Sequence, residues 1–314
     1  MTAVKPSLPA STAGRDRVVR RRSVVAAYVS LMKLRVVELL LVTTLPAMVL
    51  AERGLPPFGL VAATLAGGTL AAGSAHAFNQ VLERDIDIRM RRTRRRPVAS
   101  GVITPVAGAV FAATMLAAAL ALMLAFVNPL AAMLTLVANL FYVVVYTVLL
   151  KRRTAQNIVW GGVAGCLPTL IGWAAVTGSL DWPPVLLFLI VFFWTPPHYW
   201  PLAMRFRDDY ERAAVPMLPV VAPAERVARQ ILAYSWAMVA TSLALWWVAG
   251  LSWLYLVLAA LAGLWFLAEA HRLWVRARHD ASGASLKAMR LFHGSITYLA
   301  AVFGAVGVDV LLFG

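Results

Sequence analysis

The sequence predicts an all-α integral membrane protein with about nine spanning helices, and three observations carry that prediction. Of 314 residues, 61% are apolar and only 14% are charged, whereas a soluble domain carries roughly 25% charge. The apolar residues fall into blocks of about 20, the length that crosses a ~30 Å hydrocarbon core as a helix. The basic residues gather in alternate connectors, as the positive-inside bias requires. The connectors are short, so residues 24–314 read as one polytopic membrane domain.

Taken in order, residues 1–23 are polar, basic and rich in Ser, Ala and Pro, which predicts a disordered tail. The first apolar block, 24–51, is of spanning length and carries Lys33, Arg35 and Glu38 near its start. A signal peptide has a shorter apolar core and a small-residue cleavage site, so this helix is expected to be retained. Further helices are predicted over 57–82, 104–126, 129–150, 156–178, 183–206, 226–249, 252–276 and 287–312. Proline and glycine punctuate many of the breaks, at Pro56-Pro57, Pro105, Pro129, Gly178 and Pro183-Pro184. Proline lacks the amide that continues a helix, and glycine accepts the conformations that end one.

Orientation follows from the 29 Lys and Arg residues. With the N-terminus in the cytoplasm, all but Arg53 lie on the cytoplasmic side or within cytoplasmic helix ends. They form runs from Arg15 to Arg35 with Lys5, Arg84 to Arg96, Lys151 to Arg153, Arg205 to Arg229, and Arg272 to Arg290. The C-terminus then lies outside, and a multi-pass protein of the plasma membrane is expected. The same pattern accounts for the net charge of +15. Basic residues that alternate with spanning segments form no soluble basic surface, which argues against a nucleic-acid partner. Cys166 is the single cysteine, so neither an intrachain disulfide nor a thiolate metal cluster is available.

The second helix ends in Asn79-Gln-Val-Leu-Glu83-Arg-Asp85-Ile-Asp87, and arginines follow up to Arg96-Pro97. Carboxylates at the end of a spanning helix are costly unless they meet cations or water. Asn79, Glu83 and Asp87 recur every fourth residue and share one helix face, while Asp85 points elsewhere. Such a row suits a hard divalent cation whose shell is completed by water and phosphate. A second acidic cluster, Asp208-Asp209, follows the sixth helix on the same side, and Lys151-Arg152-Arg153 lies on that side before Asn157. Two carboxylate clusters among cations suit a diphosphate bridged by Mg²⁺. A polar head at the membrane surface with an apolar tail between helices describes a prenyl diphosphate. Ionisation of an allylic diphosphate yields a carbocation, which an apolar intramembrane cavity shields from water.

These residues resemble the intramembrane UbiA-type prenyltransferases, and in detail the branch that farnesylates protohaem. The segments that carry the resemblance are Lys33-Leu34-Arg35 with Glu38, the Arg84 to Thr93 run, and Lys151 to Asn157 with Gly161-Gly162. Pro168 with Gly172-Trp173, Pro197-His198-Tyr-Trp200, and Asp208-Asp-Tyr followed by Val215-Pro-Met-Leu-Pro219 complete it. They cover about the first two-thirds of the chain. The resemblance implies helices surrounding an intramembrane cavity and transfer of a farnesyl group from farnesyl diphosphate to a vinyl group of haem B, with Mg²⁺ required. Haem B is then a substrate, and a downstream haem-modifying enzyme or oxidase assembly is the implied partner. It assigns Asn79, Glu83 and Asp87 to the first metal–diphosphate motif and Asp208 and Asp209 to the second. Lys33, Arg35, Lys151, Arg152 and Asn157 fall in its matching segments and are expected to contribute to substrate binding. Two departures stand out: Glu83 replaces the usual aspartate, and Leu34 stands where proline is common, so the local helix entry is open to change.

Two histidines are candidates for the haem iron. His198 follows Pro196-Pro197 and lies about 15 Å below Asp208 if the intervening residues are helical, deep enough for a neutral imidazole to ligate iron. His76 sits one turn before Asn79 on a similar face. Two rivals are a quinone-precursor prenyltransferase and a secondary transporter. His198 after Pro197 and the Asp208-Asp-Tyr sequence speak against the first. Against the second stand acidic clusters at one membrane face rather than at the midplane.

Overall fold

Inside a bilayer every backbone amide must find its partner within the chain, so apolar blocks become helices. The computed structural model describes residues 24–279 and 283–314, and the side chains of residues 34–41 lie outside that description. The tail expected over residues 1–23 also lies outside the described residues.

The first helices are α1 (Val24–Leu31), α2 (Leu34–Glu52), α3 (Phe58–Leu82) and the short α4 (Arg84–Arg89). Then come α5 (Pro105–Phe126) and α6 (Pro129–Leu140), which runs on as a π-helix over Phe141–Leu150. The short α7 (Asn157–Gly161) leads into α8 (Val163–Thr177), followed by α9 (Trp182–Arg205), α10 (Arg207–Arg212) and α11 (Leu218–Val221). The chain closes with α12 (Ala224–Val248), α13 (Trp253–Arg278) and α14 (Ala288–Phe313). Among the described residues, eight helices are long and apolar enough to cross a membrane, and α2 adds a shorter apolar length over Val42–Glu52. That agrees with about nine segments.

The first segment differs from expectation in one respect. Instead of one helix over 24–51, the chain breaks at Lys33, which takes a left-handed conformation (φ 51°), and restarts at Leu34. Leu34 is the first helical residue of α2, the position at which proline is favoured. Leucine therefore preserves the restart without the proline.

Neighbours in sequence pack as neighbours in space, α3 on α5, α6 on α8, α8 on α9, α9 on α12, then α12 on α13 and α13 on α14. The last helix returns to pack on α2 and α9, which closes the bundle. In lipid the hydrophobic effect gives helices no reason to associate, so close approach and interhelical hydrogen bonds must do it. Gly172 on α8 shows the approach: a Cβ there would lie 2.7 Å from the Thr44 carbonyl oxygen of α2. The side formed by α9 and α12–α14 is filled by Trp200, Tyr255, Phe266, Tyr298 and Phe303, all buried. The Tyr255 hydroxyl donates to the Ser242 carbonyl and the Tyr298 hydroxyl meets Ser242 Oγ, each at 2.8 Å. At the end of the bundle opposite the basic connectors, buried Asp309 accepts bonds from the Ser252 amide at 2.9 Å and the Tyr255 amide at 3.1 Å, capping α13. With that side packed solid, the open volume lies between α3, the π-helix, α8 and α9.

Candidate active site

Helix α3 gives way to α4 at Glu83, yet the four-residue row survives the junction. The Glu83 amide donates to the Asn79 carbonyl at 3.0 Å and the Asp87 amide to the Glu83 carbonyl at 2.8 Å. Asn79, Glu83 and Asp87 therefore keep a helical spacing, and all three side chains are buried. Each meets a cation. Lys33 Nζ donates to Asn79 Oδ1 at 3.4 Å, and Lys151 Nζ to Glu83 Oε2 at 2.5 Å. Arg96 Nη1 reaches both carboxylate oxygens of Asp87, at 2.7 and 2.9 Å. A buried ion pair is tolerable only when its geometry is good and further bonds serve the remaining lone pairs. Asp87 meets that condition.

Asp85 points away, as its place in the helix requires. It is half exposed and takes two bonds from Arg152, at 2.9 and 2.7 Å. That bidentate contact holds the Asp85 carboxyl below the usual carboxylate range and raises the Arg152 guanidinium. Arg152 is thereby committed to Asp85 and does not line the cavity. Asn157 is buried and donates to the Lys151 carbonyl at 3.3 Å, bracing the turn that presents Lys151.

From this charged end a cavity of about 420 Å³ runs into the bundle. Lys33, Asn79, Asp87, Arg92, Arg96 and Lys151 line it together with Tyr142, Tyr146, Tyr199 and Tyr210. Farther along, the walls are small and apolar, with Gly68, Ala71 and Ala75 of α3 facing the same space as Gly161, Gly165 and Pro168. A Cβ built on Gly68 or Gly165 meets nothing within 4 Å, so both glycines border open volume.

The second acidic cluster is placed differently. Asp208 is exposed, Asp209 is buried and paired with Arg212, and neither lines the cavity. Their neighbour Tyr210 does line it, and its hydroxyl accepts from Arg92 Nη2 at 3.1 Å. Among the described residues no three His, Cys, Asp or Glu groups stand close enough to cage a metal by themselves. The donors present nevertheless suit Mg²⁺. Glu83 Oε1 is buried without a hydrogen-bond partner, and the row offers an amide oxygen and two carboxylates. Mg²⁺ is characteristically held by one or two carboxylates together with substrate phosphates and water. The side chain of Arg35 falls outside the described ones.

Residues 40–296 match the UbiA prenyltransferase family. The chain belongs to that family. The protoheme IX farnesyltransferase of Nocardioides sp. is 55% identical over 307 residues, covering 97% of this chain and 98% of that relative. The protoheme IX farnesyltransferase of Streptomyces coelicolor is 52% identical over 315 residues, covering 99% and 100%. Two solved structures share the fold at low identity. A structure described for digeranylgeranylglyceryl phosphate synthase superposes with a TM-score of 0.76 at 16% identity, covering 93% of this chain and all of the other. A UbiA homolog from Archaeoglobus fulgidus bound to GPP and Mg²⁺ gives 0.64 at 18% identity, covering 91% and 99%.

In this UbiA prenyltransferase the two candidate histidines have different surroundings. His76 lines the cavity, its Nδ1 buried without a hydrogen-bond partner and its ring edge-on to Tyr142. His198 lies outside the cavity lining. Its Nδ1 shares a 2.8 Å hydrogen bond with Ser295 Oγ, and its ring stacks on Trp194 and Phe292. The helix through His198 also stops at Arg205, before Asp208, so the path between them is not one continuous rise.

Sequence reasoning passed over Arg96, Tyr142, Tyr146 and Thr147. The arginine was legible only as one of six between Arg89 and Arg96. The tyrosines had a signal in their four-residue spacing, but Lys151 did not belong to it. Five residues after Tyr146, an α-helix would turn Lys151 roughly 140° away. The π register closes i to i+5, and the Lys151 amide donates to the Tyr146 carbonyl at 2.9 Å. Tyr142, Tyr146 and Lys151 thus share the cavity wall.

Proposed function

We propose that this enzyme transfers the farnesyl group of farnesyl diphosphate to a vinyl group of haem B. One observation carries the chemistry: Asn79 and Asp87, two members of the buried row of oxygen donors, line the same cavity as four cations, and the walls farther along are apolar, while buried Glu83 stands behind that lining. The names of relatives more than half identical to the chain support the choice of substrates.

Asn79, Glu83 and Asp87 would hold Mg²⁺, which when bound neutralises the diphosphate oxygens and stabilises pyrophosphate as leaving group. Lys33, Arg92, Arg96 and Lys151 take the remaining negative charge, and in a dry site such contacts are stronger than in water. Asp208 and Asp209 join this reading through Tyr210, their neighbour on α10. The bond from farnesyl C1 to oxygen breaks with its electron pair leaving on pyrophosphate. The vinyl π pair forms the new bond to C1, water supplies the hydroxyl to the other vinyl carbon, and a proton is released. Tyr142, Tyr146 and Tyr199 line the cavity, where aromatic π electrons would favour a passing cation, and the apolar walls keep stray water from it. The deciding experiment incubates purified protein with farnesyl diphosphate, Mg²⁺ and haem B. The product should gain one farnesyl group and one hydroxyl. Farnesylation of a quinone precursor in preference to haem would overturn the assignment.

Of the two histidines, the one that lines the cavity, His76, is favoured as the imidazole that meets the haem iron. It lies one helical turn from Asn79, so an iron held there would share the cavity with the diphosphate end. His76→Ala should weaken haem binding and shift the Soret band, with His198→Ala changing it less. The opposite ranking in haem titrations returns the role to His198.

The basic end of the bundle faces the cytoplasm, with Gly314 outside, on the strength of the positive-inside distribution. Cysteines introduced singly into the 88–103 connector, after Cys166 is replaced, should react only with reagents that reach the cytoplasmic side. Labelling from outside would reverse the orientation.

A further inference from the structure

A carboxamide has two chemically opposite ends, and only its oxygen end attracts a cation. At Asn79 the choice between them is made by a neighbour on another helix. Asn79 Nδ2 donates to Thr147 Oγ1 at 3.1 Å, and both side chains are buried. Thr147 Oγ1 in turn donates to the Tyr142 carbonyl at 2.9 Å. A hydroxyl carries one hydrogen. Once that hydrogen is given to Tyr142, the oxygen has only lone pairs to offer, and it accepts from the amide nitrogen alone. The amide oxygen is thereby turned to the other side, where Lys33 Nζ lies 3.4 Å away at the cavity wall. The five-residue reach from Thr147 back to Tyr142 is the π register of Phe141–Leu150, so the irregular helix is part of the device. Such helices recur at functional sites.

We propose that Thr147 is a positioning residue for the reaction, fixing the Asn79 amide so that its oxygen faces the metal and diphosphate. The proposal rests on the reading of Asn79 given under the proposed function. Without the hydroxyl, a buried NH2 group would lose its acceptor. The amide would then turn its nitrogen toward the cavity, presenting a donor to the cations that should be held there.

The test uses T147V, which keeps the shape of threonine without its hydroxyl, and T147S, which keeps the hydroxyl. In the full-length enzyme with Mg²⁺, T147V should raise KM for farnesyl diphosphate about 10-fold, the effect of roughly one buried hydrogen bond. KM for haem B and the thermal midpoint should hardly move, and T147S should restore most of the loss. In an N79A background, T147V should add nothing, because the two residues act as one unit. A further 10-fold loss in that background would overturn the proposal. So would a T147V protein in which both KM values and the thermal midpoint change together, or a T147S protein as impaired as T147V. If N79A alone binds farnesyl diphosphate as tightly as the unaltered enzyme, the site reading itself falls, an outcome distinct from the others.

Discussion

Asp87→Asn should lower farnesyl-transfer turnover by about 100- to 1,000-fold, the loss typical when one member of a preorganised electrostatic site is removed. The substitution nearly preserves shape, and the charge it strands, Arg96, is partly exposed and can be served by water, so the fold loses less than it would with a fully buried partner. Its effect is on charge. Asp87 is buried, takes both bonds from Arg96, and has its backbone carbonyl bound by Thr93 Oγ1 at 3.0 Å. An asparagine offers that guanidinium one acceptor and one repelling donor. It also removes a hard anionic ligand that Mg²⁺ prefers. Steady-state assays across a Mg²⁺ series should show that added metal recovers only part of the rate. Full activity at ordinary Mg²⁺ would rule out Asp87 as a ligand of the diphosphate–metal unit.

Lys151→Met should be damaging in a second way, through stability as well as catalysis. Glu83 is 1% exposed. One of its oxygens has no partner, and Lys151 serves the other. Removing one partner of a buried ion pair strands the other charge, at a cost of about 3–5 kcal/mol. The thermal midpoint in detergent should therefore fall, and activity should be lost with it. The double variant Lys151→Met with Glu83→Gln removes both charges and should regain most of the midpoint without regaining activity. That divergence separates the structural service of the pair from its chemistry. A double variant as unstable as the single one would show that the ion pair is not what holds α3 to the π-helix. Glu83→Asp should be the mildest change here, because it keeps the charge and shortens the reach to Lys151 by one methylene.

How much of this was legible in the amino-acid sequence depends on the range of the interaction. Membrane class and helix positions depend on local apolar length and on proline and glycine at the breaks, so they read directly from the chain. The Asn79, Glu83 and Asp87 row is also local. Its four-residue spacing survives even the change from α3 to α4, because the backbone bonds remain helical. The departure of Asp85 from that row follows from the same periodicity.

Tertiary structure decided which cation meets which oxygen. Lys33 meets Asn79 across 46 positions, Lys151 meets Glu83 across 68, and Arg92 meets Tyr210 across 118. Spacing within one helix says nothing about such pairs, because they exist only once the start of α2, the ends of α3 and the π-helix, and α10 are packed around one cavity. The π register likewise escapes a pattern built on 3.6 residues per turn, and it is what brings Lys151 and Thr147 to their partners. The two histidines divide for the same reason. Both are single imidazoles in apolar helices, and only packing shows that His198 shares a hydrogen bond with a serine 97 positions away outside the cavity lining, whereas His76 lines the cavity.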